Sequence, residues 1–248
     1  MVSFTGICPK CDERSTVNNE PWCEDCQKKN PDEYASVFDE WFERHAQNLL
    51  GKMGVPARYR GCRLKEFEAK TPDQRRALKA VQSWFDVDDP QGLFLCGPPG
   101  TGKTHLGVGV LRGLRWRGIG GKFVSSQELL MECRDSFGSK DRRGLKSVLE
   151  EYSGAKALLL DDLGAENSTE FARETLGLLV DRAYRNNQFL IVTSNLDLSG
   201  LANKLDVRIA DRLVEICQAV KVGGQSYRHK IAEKRVADQR LPLTQVVQ

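Results

Sequence analysis

The 248-residue sequence predicts an α/β fold, a parallel sheet with flanking helices, preceded by a small cysteine-rich module and a helix. Three observations predict it. Short strand-like runs at 93–96, 122–125, 157–160 and 189–192 are separated by helix-length amphipathic stretches, and such alternation calls for a parallel sheet covered on both faces. A glycine-rich loop at 97–104 stands between the first of those strands and the helix after it. Four cysteines in two close pairs occupy the first thirty residues, a segment too small to fold without a metal or a cross-link. The boundaries drawn from these features are 1–30, 31–54 and 55–248.

Cys8, Cys11, Cys23 and Cys26 read C-x2-C-x11-C-x2-C. Each C-x2-C pair can bend into a knuckle that aims two sulfurs at one point, and four thiolates complete a tetrahedron around Zn²⁺. Structural zinc is the expectation, since four cysteines leave no open position for catalysis. Disulfides are the other reading, set back because nothing directs the chain to an oxidising compartment. Cys62, Cys96, Cys133 and Cys217 are isolated and read as reduced small hydrophobes.

Asn30-Pro31-Asp32-Glu33 has the form of a capping box with proline at the first helical position. One amphipathic helix is expected over 30–50, with Gly51 and Gly54 closing it. Tyr34, Val37, Phe38, Trp41, Phe42, His45 and Leu49 fall on one stripe of that helix. The stripe has two readings, a core for the cysteine module or a surface for a partner protein. Residues 54–61 connect to the main domain.

Thr71-Pro72-Asp73-Gln74 repeats the capping device and opens a helix to about Phe85. Residues 86–90 form a polar loop leading to the strand at 93–96. Gly97-Pro98-Pro99-Gly100-Thr101-Gly102-Lys103-Thr104 then matches G-x-x-x-x-G-K-[ST] position by position, with His105 next. Glycine at 97, 100 and 102 admits positive φ, so successive N–H groups can turn inward around phosphate oxygens. The helix expected over 104–116 points its N-terminal dipole at the same anion. Lys103 supplies charge for the β- and γ-phosphates, and the Thr104 hydroxyl a ligand for Mg²⁺. The loop is therefore read as a nucleotide site.

A strand at 122–125, a helix at 127–137, a basic loop at 138–144 and a helix ending near Tyr152 follow. The strand at 157–162 ends in Asp161 and Asp162, a helix is expected at 169–186, and the strand at 189–192 ends in Thr193-Ser194-Asn195. In a parallel sheet all three polar groups meet at the carboxyl ends of the strands. Asp161 is placed to hold the Mg²⁺ shell, Asp162 to polarise the water that attacks the γ-phosphate, and Asn195 to orient that water. Simple strand termination is the alternative for the acidic pair, and its position about sixty residues after the phosphate loop counts against it.

Net charge is +3, and residues 204–240 hold nine Lys/Arg against five Asp/Glu, leaving 28 against 29 elsewhere. A basic C-terminal region suits an anionic partner, and equally a solvated helix face. No apolar run reaches 18 residues, and Met1-Val2-Ser3-Phe4-Thr5-Gly6 has no signal-peptide character. A soluble, cytoplasmic protein without membrane contact is expected.

The set 97–104, 158–162, 193–195, 207–213 (Val-Arg-Ile-Ala-Asp-Arg-Leu) and Ser226-Tyr227-Arg228 resembles the AAA+ ATPases of the DnaC/IstB group, in the same order over about residues 55–230. Those are replicative helicase loaders and ATPase helpers of transposases. The resemblance implies a P-loop AAA+ domain with a Walker A loop at 97–104, Walker B at 158–162 and sensor 1 at Asn195. Arg212 resembles the arginine finger offered to a neighbouring subunit, with Arg208 as second choice, and Arg228 resembles sensor 2. Where many AAA+ proteins have Glu, this chain has Asp162, which implies slow hydrolysis. Phe137, Thr169 and Phe171 align with positions facing single-stranded DNA, with Arg142 and Arg143 nearby; core or loop packing is the other reading for the phenylalanines. The expected function is ATP-dependent loading of a replicative helicase onto single-stranded DNA, by a chain that self-associates when ATP-bound and engages the helicase through its N-terminal region. A transposase helper, or an ATP-switched adaptor with little turnover, is the alternative.

Overall fold

A computed structural model describes residues 24–86, 92–136 and 144–227. Cys8, Cys11, Cys23, Phe137, Arg142, Arg143 and Arg228 lie outside the described residues. The chain divides into two compact units between Lys52 and Met53.

The first unit contains α1 (Glu24–Lys29) and α2 (Pro31–Lys52). α2 opens with Asp32 and Glu33 in its first turn, where carboxylates complement the helix dipole. It runs through Gly51 rather than ending there, and the chain turns at Gly54, whose φ is +89°. The aromatic stripe is realised as a ladder. Phe38 lies 5.6 Å from Tyr34, 5.8 Å from Trp41 and 6.1 Å from Phe42, and Trp41 stacks on His45 at 4.9 Å between ring centroids.

The second unit is a five-stranded sheet, β1 (Gly92–Cys96), β2 (Gly121–Ser125), β3 (Ala157–Asp161), β4 (Phe189–Ser194) and β5 (Cys217–Lys221). Its order is β2-β3-β4-β1-β5 and every neighbouring pair is parallel. The helices are α3 (Pro72–Trp84), α4 (Lys103–Trp116), α5 (Ser126–Asp135), α6 (Leu145–Ser153), α7 (Glu170–Arg185), α8 (Leu198–Lys204) and α9 (Val207–Ile216). The expected capping box at 71–74 is present, with Gln74 N–H donating to Thr71 Oγ1 at 3.2 Å and Gln74 Oε1 accepting from Thr71 N–H at 3.1 Å.

β1, β3 and β4 are buried on both faces. Phe94, Leu158, Leu160, Leu190 and Val192 join residues of α5, α6, α7 and α9 in one apolar cluster, each buried aliphatic side chain contributing about 1.5–3 kcal/mol. On the opposite face α4 comes close to β3. A Cβ on Gly107 would stand 3.0 Å from the Leu159 side chain. This packing holds the helix start, and so the phosphate loop, against the sheet edge.

Among the strands and α-helices described in the second unit, three were not expected from the sequence. β5 is an edge strand in which only Cys217 and Val220 are buried, so Cys-Gln-Ala-Val-Lys shows no apolar run. α8 is only seven residues long, too short for a periodic pattern. α9 coincides with the stretch 207–213 that carries the family resemblance, and the sequence pattern alone does not announce it as a helix.

Candidate functional site

The phosphate loop turns at three glycines of positive φ and is held by its neighbours. Gly97, Gly100 and Gly102 have φ of +142°, +79° and +101°, conformations that L side chains rarely adopt. Close neighbours add to the requirement: a Cβ at Gly97 would meet the Val222 carbonyl at 2.3 Å, and one at Gly102 the Phe67 ring at 2.5 Å. Gly97 N–H donates to the Ser194 carbonyl at 3.2 Å, and Tyr227 N–H to the Gly100 carbonyl at 2.8 Å. Thr101 Oγ1 donates to the Pro98 carbonyl at 2.9 Å. Behind the loop, His105 Nε2 lies 2.9 Å from the Arg63 carbonyl, and its ring meets Phe67 edge-on at 5.5 Å.

Lys103 is buried, and its Nζ donates to the Gly97 and Pro98 carbonyls at 2.8 and 2.9 Å and to Asn195 Oδ1 at 2.8 Å. Two groups 92 residues apart, the expected phosphate cation and the expected water-orienting amide, thus touch directly. Thr104 Oγ1 donates to the Asp161 carboxylate at 3.0 Å, and Thr193 Oγ1 donates to Asp161 Oδ1 at 2.6 Å. Thr193 Oγ1 also accepts from Asp162 N–H at 2.9 Å. Asp162 itself turns the chain with φ of +55°.

The Asp161 carboxyl is held above its ordinary value. Burial is the largest cause and the Asp162 charge adds to it, while hydrogen bonds from Thr193 and Thr104 and the Lys103 charge pull the other way. A hydroxyl and a carboxylate at hydrogen-bond distance are hard oxygen donors of the kind a hydrated Mg²⁺ accepts, so the residues present fit Mg²⁺ with a nucleoside triphosphate. Among the described residues, no group of three or more His, Cys, Asp or Glu side chains stands ready to hold a metal by itself. Of the four paired cysteines only Cys26, on α1, is described.

The remaining candidates sit elsewhere. Arg208 and Arg212 lie on α9 beside α7, lining a groove of about 850 Å³ with Glu174, Asp181, Asp206 and Glu215. Arg212 pairs with Asp181 at 3.3 Å and Glu215 at 2.9 Å, and its guanidinium lies 4.7 Å from the Tyr184 ring centroid. Arg208 extends into solvent with one contact to Asp206 at 3.5 Å. Thr169 caps α7, accepting from Ala172 N–H at 3.1 Å. Phe171, one residue into α7, is half-buried against the core cluster, with the Arg134 guanidinium 5.4 Å from its ring centroid.

Sequence reasoning grouped Thr193 with the polar strand end and gave the role to Asn195. The structure makes Thr193 the junction between Asp161 and Asp162. A threonine ending an apolar strand that neighbours an acidic strand end was the available signal. Phe67 carried none, since its contact with the loop depends on the fold.

A sheet ordered β2-β3-β4-β1-β5, with the phosphate loop after β1, acidic residues after β3 and a polar end on β4, defines an AAA+ P-loop domain. Residues 40–235 match the model of the family described as IstB-like ATP binding protein, and the chain belongs to that ATP-binding family. It is similar to the replicative helicase loader DnaC of Buchnera aphidicola subsp. Schizaphis graminum, with 25% identity over 67% of this chain and 69% of that protein. Its counterpart in Escherichia coli strain K12 is 20% identical over the same shares. A crystal structure of the DnaC helicase loader, 28% identical, covers 68% of this chain and 100% of its own with a TM-score of 0.60.

Proposed function

We propose that this chain is an ATP-hydrolysing loader that places a replicative helicase on single-stranded DNA. The observation that carries the ATPase part is the bonded set Lys103–Asn195 and Thr104–Asp161–Thr193 at one sheet edge. The relatives described as helicase loaders support the rest. Mg²⁺, when bound, would neutralise charge on the phosphates and polarise the γ-phosphoryl group. Lys103 carries the phosphate charge, Thr104 and Asp161 hold the ion, Asp162 takes up the proton of the attacking water, and Asn195 orients that water. Arg212 acts on the nucleotide of a neighbouring subunit, and Arg228 on the nucleotide of its own. The reach of a finger across a subunit boundary makes the ATP-bound protein a homo-oligomer.

Single-stranded DNA is gripped near the start of α7. The Arg134 guanidinium over Phe171 offers the flat, cationic surface on which exposed bases stack. Phe137 and Thr169 complete that reading. The N-terminal unit engages the helicase, with Zn²⁺ held by Cys8, Cys11, Cys23 and Cys26. The protein acts in the cytoplasm. No helix among the described residues is long and apolar enough to cross a membrane.

The test is placement of the replicative helicase on a closed single-stranded circle. The parent chain, reduced and freshly purified, should hold one zinc by elemental analysis and place helicase only with ATP. The Cys23→Ser/Cys26→Ser variant should hold no zinc, keep ATP turnover and lose placement. Zinc-free parent protein, or full placement by the variant, would overturn the assigned role of the N-terminal unit.

A further inference from the structure

Behind the acidic pair lies another carboxylate that the reaction described above does not use. Glu166 is almost fully enclosed, at 5% exposure, where a carboxylate is costly unless its oxygens are satisfied. They are. Gly164 N–H stands 3.1 Å from both Oε1 and Oε2, and Ser126 Oγ stands 2.5 Å from Oε2. Ser126 is the first residue of α5 and reaches in the other direction too, with its Oγ 3.0 Å from the Asp162 carbonyl.

These contacts surround one tight turn. Asp162 stands at φ +55° and Gly164 at φ +88°, and Ala165 N–H donates to the Asp162 carbonyl at 3.0 Å, closing the turn. A left-handed aspartate holds its place only when its surroundings determine it. On the sheet side Thr193 takes the Asp162 N–H. On the helix side the single Ser126 hydroxyl proton lies between two acceptors, the Asp162 carbonyl and Glu166 Oε2, and is shared by them, so Ser126 links the turn to both α5 and Glu166. Asp162 is therefore clamped between β4 and α5, and Glu166 binds both the turn and the helix start. Capping one turn amide would take a single acceptor; this carboxylate uses its two oxygens to join two elements.

We propose that Glu166 is a positioning residue for ATP hydrolysis, fixing through Ser126 and Gly164 the backbone from which the Asp162 side chain projects. The inference rests on Asp162 acting on the attacking water. Misplacement of a reacting group by about 1 Å costs on the order of 100-fold in rate. Among the described residues, no hydrogen bond of the Glu166 or Ser126 side chains reaches the phosphate loop, Lys103 or Thr104 directly.

ATP affinity and steady-state turnover should be measured for the full chain carrying Glu166→Ala, Glu166→Gln, Ser126→Ala and Asp162→Asn. Glu166→Ala is expected to lower kcat by roughly 10- to 100-fold while ATP affinity stays at the parental value. Glu166→Gln should recover most of that turnover, because its amide can donate to Ser126 Oγ and still accept from Gly164 N–H. If Glu166→Ala does not fold, Ser126→Ala removes the same brace with one atom and should show the same split. Parental kcat in Glu166→Ala or Ser126→Ala, with Asp162→Asn inactive, would overturn the positioning role and leave the Asp162 assignment standing. A Gln variant as impaired as Ala would also overturn it, since charge and not position would then matter. Normal turnover in Asp162→Asn would remove the underlying assignment, and the inference with it.

Discussion

The carboxyl edge of the sheet and the face formed by α7 and α9 both collect charge, and they treat it in opposite ways. At the edge, Lys103 and Asp161 are 5% and 6% exposed and bonded to groups that strands hold in place. On the α7–α9 face, Arg212, Asp181 and Glu215 are 42%, 37% and 49% exposed in their side chains and make ion pairs of 2.9–3.3 Å. Exposed pairs of this kind contribute about 0–1 kcal/mol. The edge is thus pre-organised for chemistry within one chain, whereas the α7–α9 pairs are weak enough to be exchanged. Exchangeable pairs of this kind suit the finger role proposed for Arg212.

The largest effect expected from breaking this contrast lies on the exchangeable side. Arg212→Ala should keep nucleotide affinity and lose roughly 10³-fold or more in turnover, the scale of a finger acting in trans. Adding Lys103→Ala subunits, which bring intact fingers but no working site, should restore part of the activity in mixed assemblies. Failure of that rescue would make Arg212 a residue of its own chain's site.

A smaller effect should appear on the fixed side, and in stability. A carboxyl raised by the fold binds its proton more tightly there than in the unfolded chain. It therefore favours folding below the unfolded value and loses that advantage as pH rises through the folded one. Asp161 is such a group, so at neutral pH its ionised form costs stability. Asp161→Asn should melt higher than the parent at neutral pH, with the gain shrinking toward about pH 4, and should lose Mg²⁺-dependent turnover. Equal or lower melting at neutral pH would contradict the sign.

The same contrast separates what the sequence disclosed from what it did not. The phosphate loop was legible because its chemistry is consecutive: three glycines, a lysine and a threonine in eight positions. Asp161, Asp162 and Asn195 were legible because a parallel sheet brings strand ends together whatever the intervening chain. Ser126 and Glu166 were not, since each acts through a contact between residues 36 to 40 positions apart that no local pattern announces. The ion pairs of Arg212 depend on how α9, an element identified only by resemblance, lies beside α7. β5 was missed because an edge strand buries too little to show an apolar run.

The measurement that bears most directly on the proposed function is which nucleic acid the ATP-bound protein grips. Single strands expose base faces to aromatic and guanidinium surfaces, whereas a duplex offers chiefly phosphates to Lys and Arg. Fluorescence anisotropy at fixed salt, with labelled single and double strands, compares the two. A helicase loader should prefer the single strand, and alanine at Phe137 and Phe171 should weaken that binding by about 1–3 kcal/mol per lost stack without changing ATP affinity. Tighter binding to the duplex, indifferent to both phenylalanines, would contradict the loader and favour the transposase helper.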